Sequence, residues 1–190
     1  MVGKIRVIGA VGQNGSGKDE VLKYLREKYA VPFFSTGDMV RGIAAKEGIE
    51  PTRENLGEIS ERYFRQFGKG CFVKMVAEKI KQSKLTTMGI SGIRSLDDIN
   101  ILREIFGRDF VLIRVYVSDP RVRYERMTKR GEGRDPRSFE QFLEQDKKEN
   151  ALFLLDVAEK TANFSLPNDG TLVDLHHEIE KLIKEKALLS

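Results

Sequence analysis

The 190-residue chain is 40% apolar and 33% charged, which excludes a disordered or fibrous polymer and suits one globular domain burying about 70% of its unfolded surface. Its net charge of +4 is mild, no apolar run is long enough to cross a bilayer, and the short run at 7–11 with glycines after it does not read as a secretory leader. A single cysteine, Cys71, leaves no internal disulfide, so a cytoplasmic protein without a membrane partner is expected.

In chain order, residues 4–11 read as a buried strand and 19–29 as a helix, with Val21, Leu22, Leu25 and Tyr29 on one face. A short strand at 31–34 ends in Ser35-Thr36-Gly37-Asp38, and a helix at 39–46 is closed by Gly48. Another helix begins at 51–52 with the stripe Leu56, Ile59, Tyr63, Phe64 and Phe67, and the next carries Phe72, Val73, Val76 and Ile80. These stripes are core faces. A strand at 85–90 leads through Ser91-Gly92-Ile93-Arg94 to a helix that Ser95 can cap, with Leu96, Ile99, Leu102, Ile105 and Phe106. Residues 110–117 are apolar at nearly every position, as a strand covered on both faces should be. A basic helix from 119 is broken by Gly131 to Pro136, and one further helix is predicted from 138 to about 158. A last strand at 163–166, the turn Pro167-Asn168-Asp169-Gly170 and a final helix capped by Thr171 complete the chain. Alternating strands and helices imply an α/β fold with a parallel five-stranded sheet and ligands at the strands' carboxyl ends.

One stretch organises the rest. Gly12-Gln13-Asn14-Gly15-Ser16-Gly17-Lys18 follows the first strand and opens the first helix. That context makes it a phosphate-binding loop: glycines let successive N–H groups turn toward phosphate oxygens, and the helix start adds its unpaired N–H groups. Lys18 supplies a point charge for the β- and γ-phosphates. Asp19 stands where the pattern asks for a serine or threonine that ligates magnesium, and a carboxylate is also a hard oxygen ligand. Between 121 and 137 lie seven cations, Arg121, Arg123, Arg126, Lys129, Arg130, Arg134 and Arg137, against three acids, a local excess that suits a polyanionic ligand. Only Tyr124 interleaves them, so no nucleic-acid groove is expected. Adjacent His176 and His177 diverge by about 100° around their helix, which argues against joint metal binding. Cys71 reads as a packing residue.

Several of these stretches together resemble the nucleoside monophosphate kinases of the P-loop superfamily. Ser35-Thr36-Gly37-Asp38-Met39-Val40-Arg41 resembles the adenylate-kinase acceptor motif, and Gly92-Ile93-Arg94 the second acceptor motif. Arg126 and Arg130 are similar to the arginine pair at the donor base and phosphates, and Asn168-Asp169-Gly170 to the turn beside that base. The 162–170 ending and the turn at 92–95 also resemble archaeal-type adenylate-kinase-related and dephospho-coenzyme-A-kinase-like proteins. The resemblance implies a three-layer single domain with a helical acceptor insertion at about 37–82 and a short lid at about 130–138. It implies transfer of the γ-phosphoryl group of ATP, with magnesium, to a nucleoside monophosphate or similar nucleotide, in a monomer or small homo-oligomer. Donor-binding residues would be Gly12, Asn14, Gly15, Ser16, Gly17, Lys18, Asp19, Arg126, Asn168 and Gly170. Thr36, Gly37, Asp38, Arg41 and Arg94 would bind the acceptor, Asp19 the metal, and Lys18, Arg94, Arg130 and Arg134 would be catalytic. The family's usual acid before Gly-x-x-Arg is here Ser91, so carboxylate and hydroxyl are expected to have exchanged places around magnesium. Two alternatives stand beside this reading. One is a dephospho-coenzyme-A-kinase-like enzyme acting on a sugar hydroxyl, with Asp38 as base; the other is a nucleotide-dependent switch or ATPase.

Overall fold

The computed structural model describes residues 5–131 and 135–189. In chain order the elements are β1 (Arg6–Val11), α1 (Lys18–Tyr29), β2 (Phe33–Ser35), α2 (Thr36–Glu47), α3 (Arg53–Phe67), α4 (Cys71–Gln82), β3 (Thr87–Ser91) and α5 (Leu96–Phe106). They continue with β4 (Phe110–Tyr116), α6 (Pro120–Arg130), α7 (Phe139–Phe153), α8 (Leu155–Lys160), β5 (Phe164–Pro167) and α9 (Leu172–Lys186). The strands form a five-stranded sheet in the order β2-β3-β1-β4-β5, an α/β P-loop architecture. β1 pairs parallel with β3 from Arg6↔Thr87, β2 with β3 from Phe33↔Gly89, and β4 with β5 from Ile113↔Phe164. No helix among the described residues is long and apolar enough to cross a membrane.

The chain divides into two compact units. The first comprises the chain to Gly9, Val31–Ile93 and Asp97–Val111, and so holds β2, α2, α3, α4 and β3. Its core is aliphatic: Ile8, Ile80, Ile90, Ile93, Ile99 and Leu102 are all fully buried. Gly9 admits this packing because a Cβ there would lie 2.5 Å from Ile93 Cδ1 and 3.0 Å from the Phe110 ring. Cys71 is buried and free, and burial pushes its thiol up, as expected of a packing residue. Phe64 and Phe67 of the α3 stripe are exposed, while Tyr63 stacks on Phe72 at 5.6 Å. Only part of that stripe is core.

The second unit comprises Ala10–Ala30, Arg94–Leu96 and the chain from Leu112 onward. Val21, Leu22 and Leu25 of α1 and Leu175 and Ile179 of α9 are buried in it, with Phe142 from α7. Thr171 caps α9 in a reciprocal capping box with Asp174. His176 stacks on Tyr24 with ring centroids 4.1 Å apart and His177 is exposed. The helix expected from 138 to 158 is two helices. Leu154 takes φ +52° between α7 and α8, and the Asn150 side chain bonds both the Asp156 amide and the Asp156 carboxylate across the break. A left-handed leucine costs on the order of 1 kcal/mol and neither Gly nor Pro marks the spot, so no local pattern announces it.

Candidate functional site

The P-loop, residues 12–18, leaves the carboxyl end of β1 within the second unit. Each glycine is demanded by what lies against it. A Cβ on Gly12 would sit 2.3 Å from the Val115 carbonyl oxygen, and one on Gly15, at φ +78°, would lie 2.7 Å from the Arg123 carbonyl oxygen. Gly17, at φ +88°, faces the Asn168 amide nitrogen at 2.4 Å from its would-be Cβ. No L side chain suits that combination of φ and crowding. Gly17 also opens α1 without any side-chain cap. The start of that helix therefore offers N–H groups and the positive end of its dipole to an anion.

Lys18, the first residue of α1, carries the loop's charge. Burial pushes its ammonium below the usual lysine range; Asp19 and Glu149 oppose that shift, while Arg94 and Arg130 add to it. Four charged groups thus act on one ammonium. Arg94, expected on the acceptor side, belongs to the second unit with the P-loop, and its charge bears on Lys18. Arg130, the last residue of α6, pairs with Asp135. Arg134 lies outside the described residues. Arg137 is exposed and its N–H donates to Gln141 Oε1 at 2.8 Å.

Two residues expected at the donor base brace the loop and the turn after β5. Asn168 is buried, and its Nδ2 donates to the Ser16 carbonyl at 2.8 Å, so it holds the P-loop to the turn after β5. Arg126 spends its Nη1 and Nη2 on the carbonyls of Asn168 and Gly170, at 2.9 and 2.8 Å, and thereby fixes the turn after β5. Ser16 is buried and its hydroxyl has no hydrogen-bond partner among the described residues.

Three residues missed in the sequence complete this site. Arg123 is 2% exposed and forms a two-pronged pair with Asp146 at 2.7 Å on both terminal nitrogens. Its Nη1 also donates to the Asn14 carbonyl at 3.2 Å, and its guanidinium lies 5.0 Å from the Phe142 ring centroid. Glu149 accepts a short hydrogen bond from the Asn14 side chain. A signal existed: Phe142, Asp146 and Glu149 follow at i, i+4 and i+7, so the buried face of α7 continues as carboxylates.

Within the first unit, the carboxyl ends of β2 and β3 are stitched together. Ser35 caps α2 through the Gly37 amide at 3.1 Å, and the Thr36 hydroxyl donates to the Gly92 carbonyl at 3.1 Å. Gly92 has φ +83°, and a Cβ there would fall 2.0 Å from Thr36 Oγ1. Asp38 and Arg41 form an exposed ion pair one turn into α2. Ser91 is buried at the end of β3.

A magnesium ion fits the donor set at the P-loop. Asp19 is an exposed carboxylate in the first turn of α1, and its charge acts on Lys18. Magnesium takes one or two carboxylates, phosphate oxygens and several waters, and one hard oxygen from the chain suffices.

A family profile described as an AAA domain matches residues 11–143. The chain is 33% identical over 182 residues to a UPF0200 protein of Thermococcus onnurineus, covering 94% of this chain and 97% of that one. The chain belongs to the UPF0200 family and carries an AAA domain. The UPF0200 chain also shares its fold with shikimate kinase from Acinetobacter baumannii in complex with shikimate (TM-score 0.61, 14% identity, 97% of this chain and 96% of the other). A gluconokinase from Sinorhizobium meliloti matches at TM-score 0.58 with 17% identity over 97% of each chain. At those identities the likeness establishes a kinase-like P-loop fold for this UPF0200 protein.

Proposed function

We propose that this protein is a phosphotransferase that moves the γ-phosphoryl group of ATP to a nucleoside monophosphate or a similar small nucleotide. The observation that carries the reading is the loop itself: half-buried Lys18 at the start of an uncapped helix, on a loop whose glycines are each held against backbone or side-chain atoms. Amides 15–18 and the Lys18 ammonium hold the β- and γ-phosphates, and Arg94 and Arg130 neutralise the transferring group. Asp19 would hold magnesium, which would supply positive charge to offset that of the phosphates. Asn168 and Arg123 keep the loop in its binding shape, so little reorganisation is needed at the moment of transfer. Thr36, Gly37, Asp38 and Arg41 bind the acceptor.

A second reading, transfer to a sugar hydroxyl as in dephospho-coenzyme A, draws on one observation. Arg41 is already paired with Asp38, which favours a neutral acceptor and leaves a carboxylate to take its proton. The first reading is preferred because that pair is exposed on both sides. Such pairs are worth only about 0–1 kcal/mol, so an acceptor phosphate displaces Asp38 readily. A coupled assay with ATP, magnesium and a panel of acceptors tests both. Turnover on nucleoside monophosphates supports the first, turnover on dephospho-coenzyme A alone supports the second, and slow hydrolysis independent of acceptor overturns both.

A further inference from the structure

We propose that Glu149 makes the P-loop select the cation-complexed form of its nucleotide over the free form. The inference rests on the nucleotide reading above and adds to it a specificity-determining residue on α7.

Asp146 and Glu149 lie one turn apart on α7 and reach the same P-loop residue by two routes. Asp146 takes both terminal nitrogens of buried Arg123, and Arg123 donates to the Asn14 carbonyl. Glu149 accepts directly from the Asn14 side chain. Backbone and side chain of Asn14 are therefore both tied to α7. The Glu149 carboxylate cannot leave the loop without giving up its hydrogen bond, and the Arg123–Asp146 pair keeps its helix in place.

A fixed anion at a phosphate seat has an electrostatic consequence. Glu149 acts on Lys18 as an opposing charge, together with Asp19, so the one ammonium of the loop already faces two carboxylates. Arg94 and Arg130 attract phosphate in general. Glu149 subtracts from that attraction, and it subtracts most from the ligand with the most uncompensated charge. A free triphosphate carries its full negative charge to the loop, whereas a divalent complex carries about two fewer units. Coulomb repulsion scales with the ligand's charge, so removing Glu149 relieves the free triphosphate about twice as much, in free energy, as its divalent complex. Asp19, the cation's own ligand in this reading, discriminates in the same direction, since it repels a free triphosphate and holds the cation of the complex; Glu149 adds to that preference without touching the cation. Glu149 is held at the loop by its hydrogen bond from Asn14.

The test is the affinity of a non-hydrolysable ATP analogue, measured calorimetrically in excess magnesium and again in excess EDTA. Wild-type protein is compared with Glu149→Gln, which keeps an acceptor for Asn14, with Glu149→Ala, and with Glu144→Gln on the exposed side of α7 as control. Expected are roughly tenfold tighter binding in EDTA for both Glu149 variants, a change of less than about threefold in magnesium, and no change for the control. Thermal midpoints report that each variant is folded. Equal tightening in both conditions would overturn the proposal, since Glu149 would then merely occupy the phosphate seat. Unchanged affinity in both conditions, or weaker binding in magnesium, would overturn it as well, by leaving a structural or a metal-ligating role. A wild type that binds the analogue in neither condition would instead refute the nucleotide reading, and this inference with it.

Discussion

A methyl group at position 12 would approach the Val115 carbonyl oxygen to 2.3 Å. Backbone on both sides must then move, because neither atom belongs to a flexible side chain. Gly12→Ala should therefore loosen the loop without removing any charge. We expect at least tenfold weaker binding of ATP, read by titration calorimetry, with the circular dichroism spectrum unchanged. Gly48, by contrast, has nothing within 4 Å of a would-be Cβ, so a substitution there meets only the cost of its positive φ. At this scale the glycine pattern and Lys18 were legible because their spacing is itself the physical requirement. Asn168 was legible as a residue but not in its role. Its contact with Ser16 spans more than 150 positions of chain, and no local pattern encodes it. Arg123 was hidden for a related reason. Inside a basic cluster it looks like one solvated cation among seven, and only its pairing with Asp146 reveals that it is buried.

Among the elements, α7 connects most directly to the site. Removing Asp146 strands a guanidinium that is 2% exposed, and loss of one partner of a buried pair costs about 3–5 kcal/mol. Asp146→Ala should lower the urea midpoint accordingly. The double variant Arg123→Met with Asp146→Leu should recover much of that loss, because two apolar groups leave no unpaired charge. A second brace joins α1 to α9. Tyr29, Tyr24 and Lys28 all donate to the Glu180 carboxylate, which holds it down at about 2. A depressed carboxyl stabilises the fold above its ordinary value near 4.5 and loses that contribution as pH falls toward 2. Chemical denaturation between pH 5 and pH 2 should therefore show a smaller acid-induced loss in Glu180→Gln than in wild type. Most elements were readable to within a few residues from apolar period, and Thr171 caps α9 as read; Ser35, Thr52 and Ser138 cap as well, α2 opening three residues before the expected 39. The break at Leu154 was not readable, since it is enforced by Asn150 and Asp156 across the gap.

For the molecule as a whole, alternation of strands and helices announced a parallel sheet, and its order β2-β3-β1-β4-β5 follows the P-loop pattern. What alternation does not encode is the partition into two units, in which Arg94 leaves the turn it follows in sequence and joins the unit that contains the P-loop. Nucleotide binding should be visible in global stability. A ligand at a hundred times its dissociation constant adds about 2.7 kcal/mol, which for a chain of this size raises the melting temperature by roughly 5–10 °C. Differential scanning calorimetry with ATP and magnesium should show that rise, and Gly12→Ala should show little of it at the same concentration. The bare start of α1, where Gly17 offers no side-chain oxygen, has one more consequence. Backbone N–H groups at a helix start do not distinguish a nucleotide from any other tetrahedral oxyanion. Inorganic phosphate and sulfate compete for the same seat, so ATP is held more tightly in a chloride buffer than in a phosphate buffer of equal ionic strength.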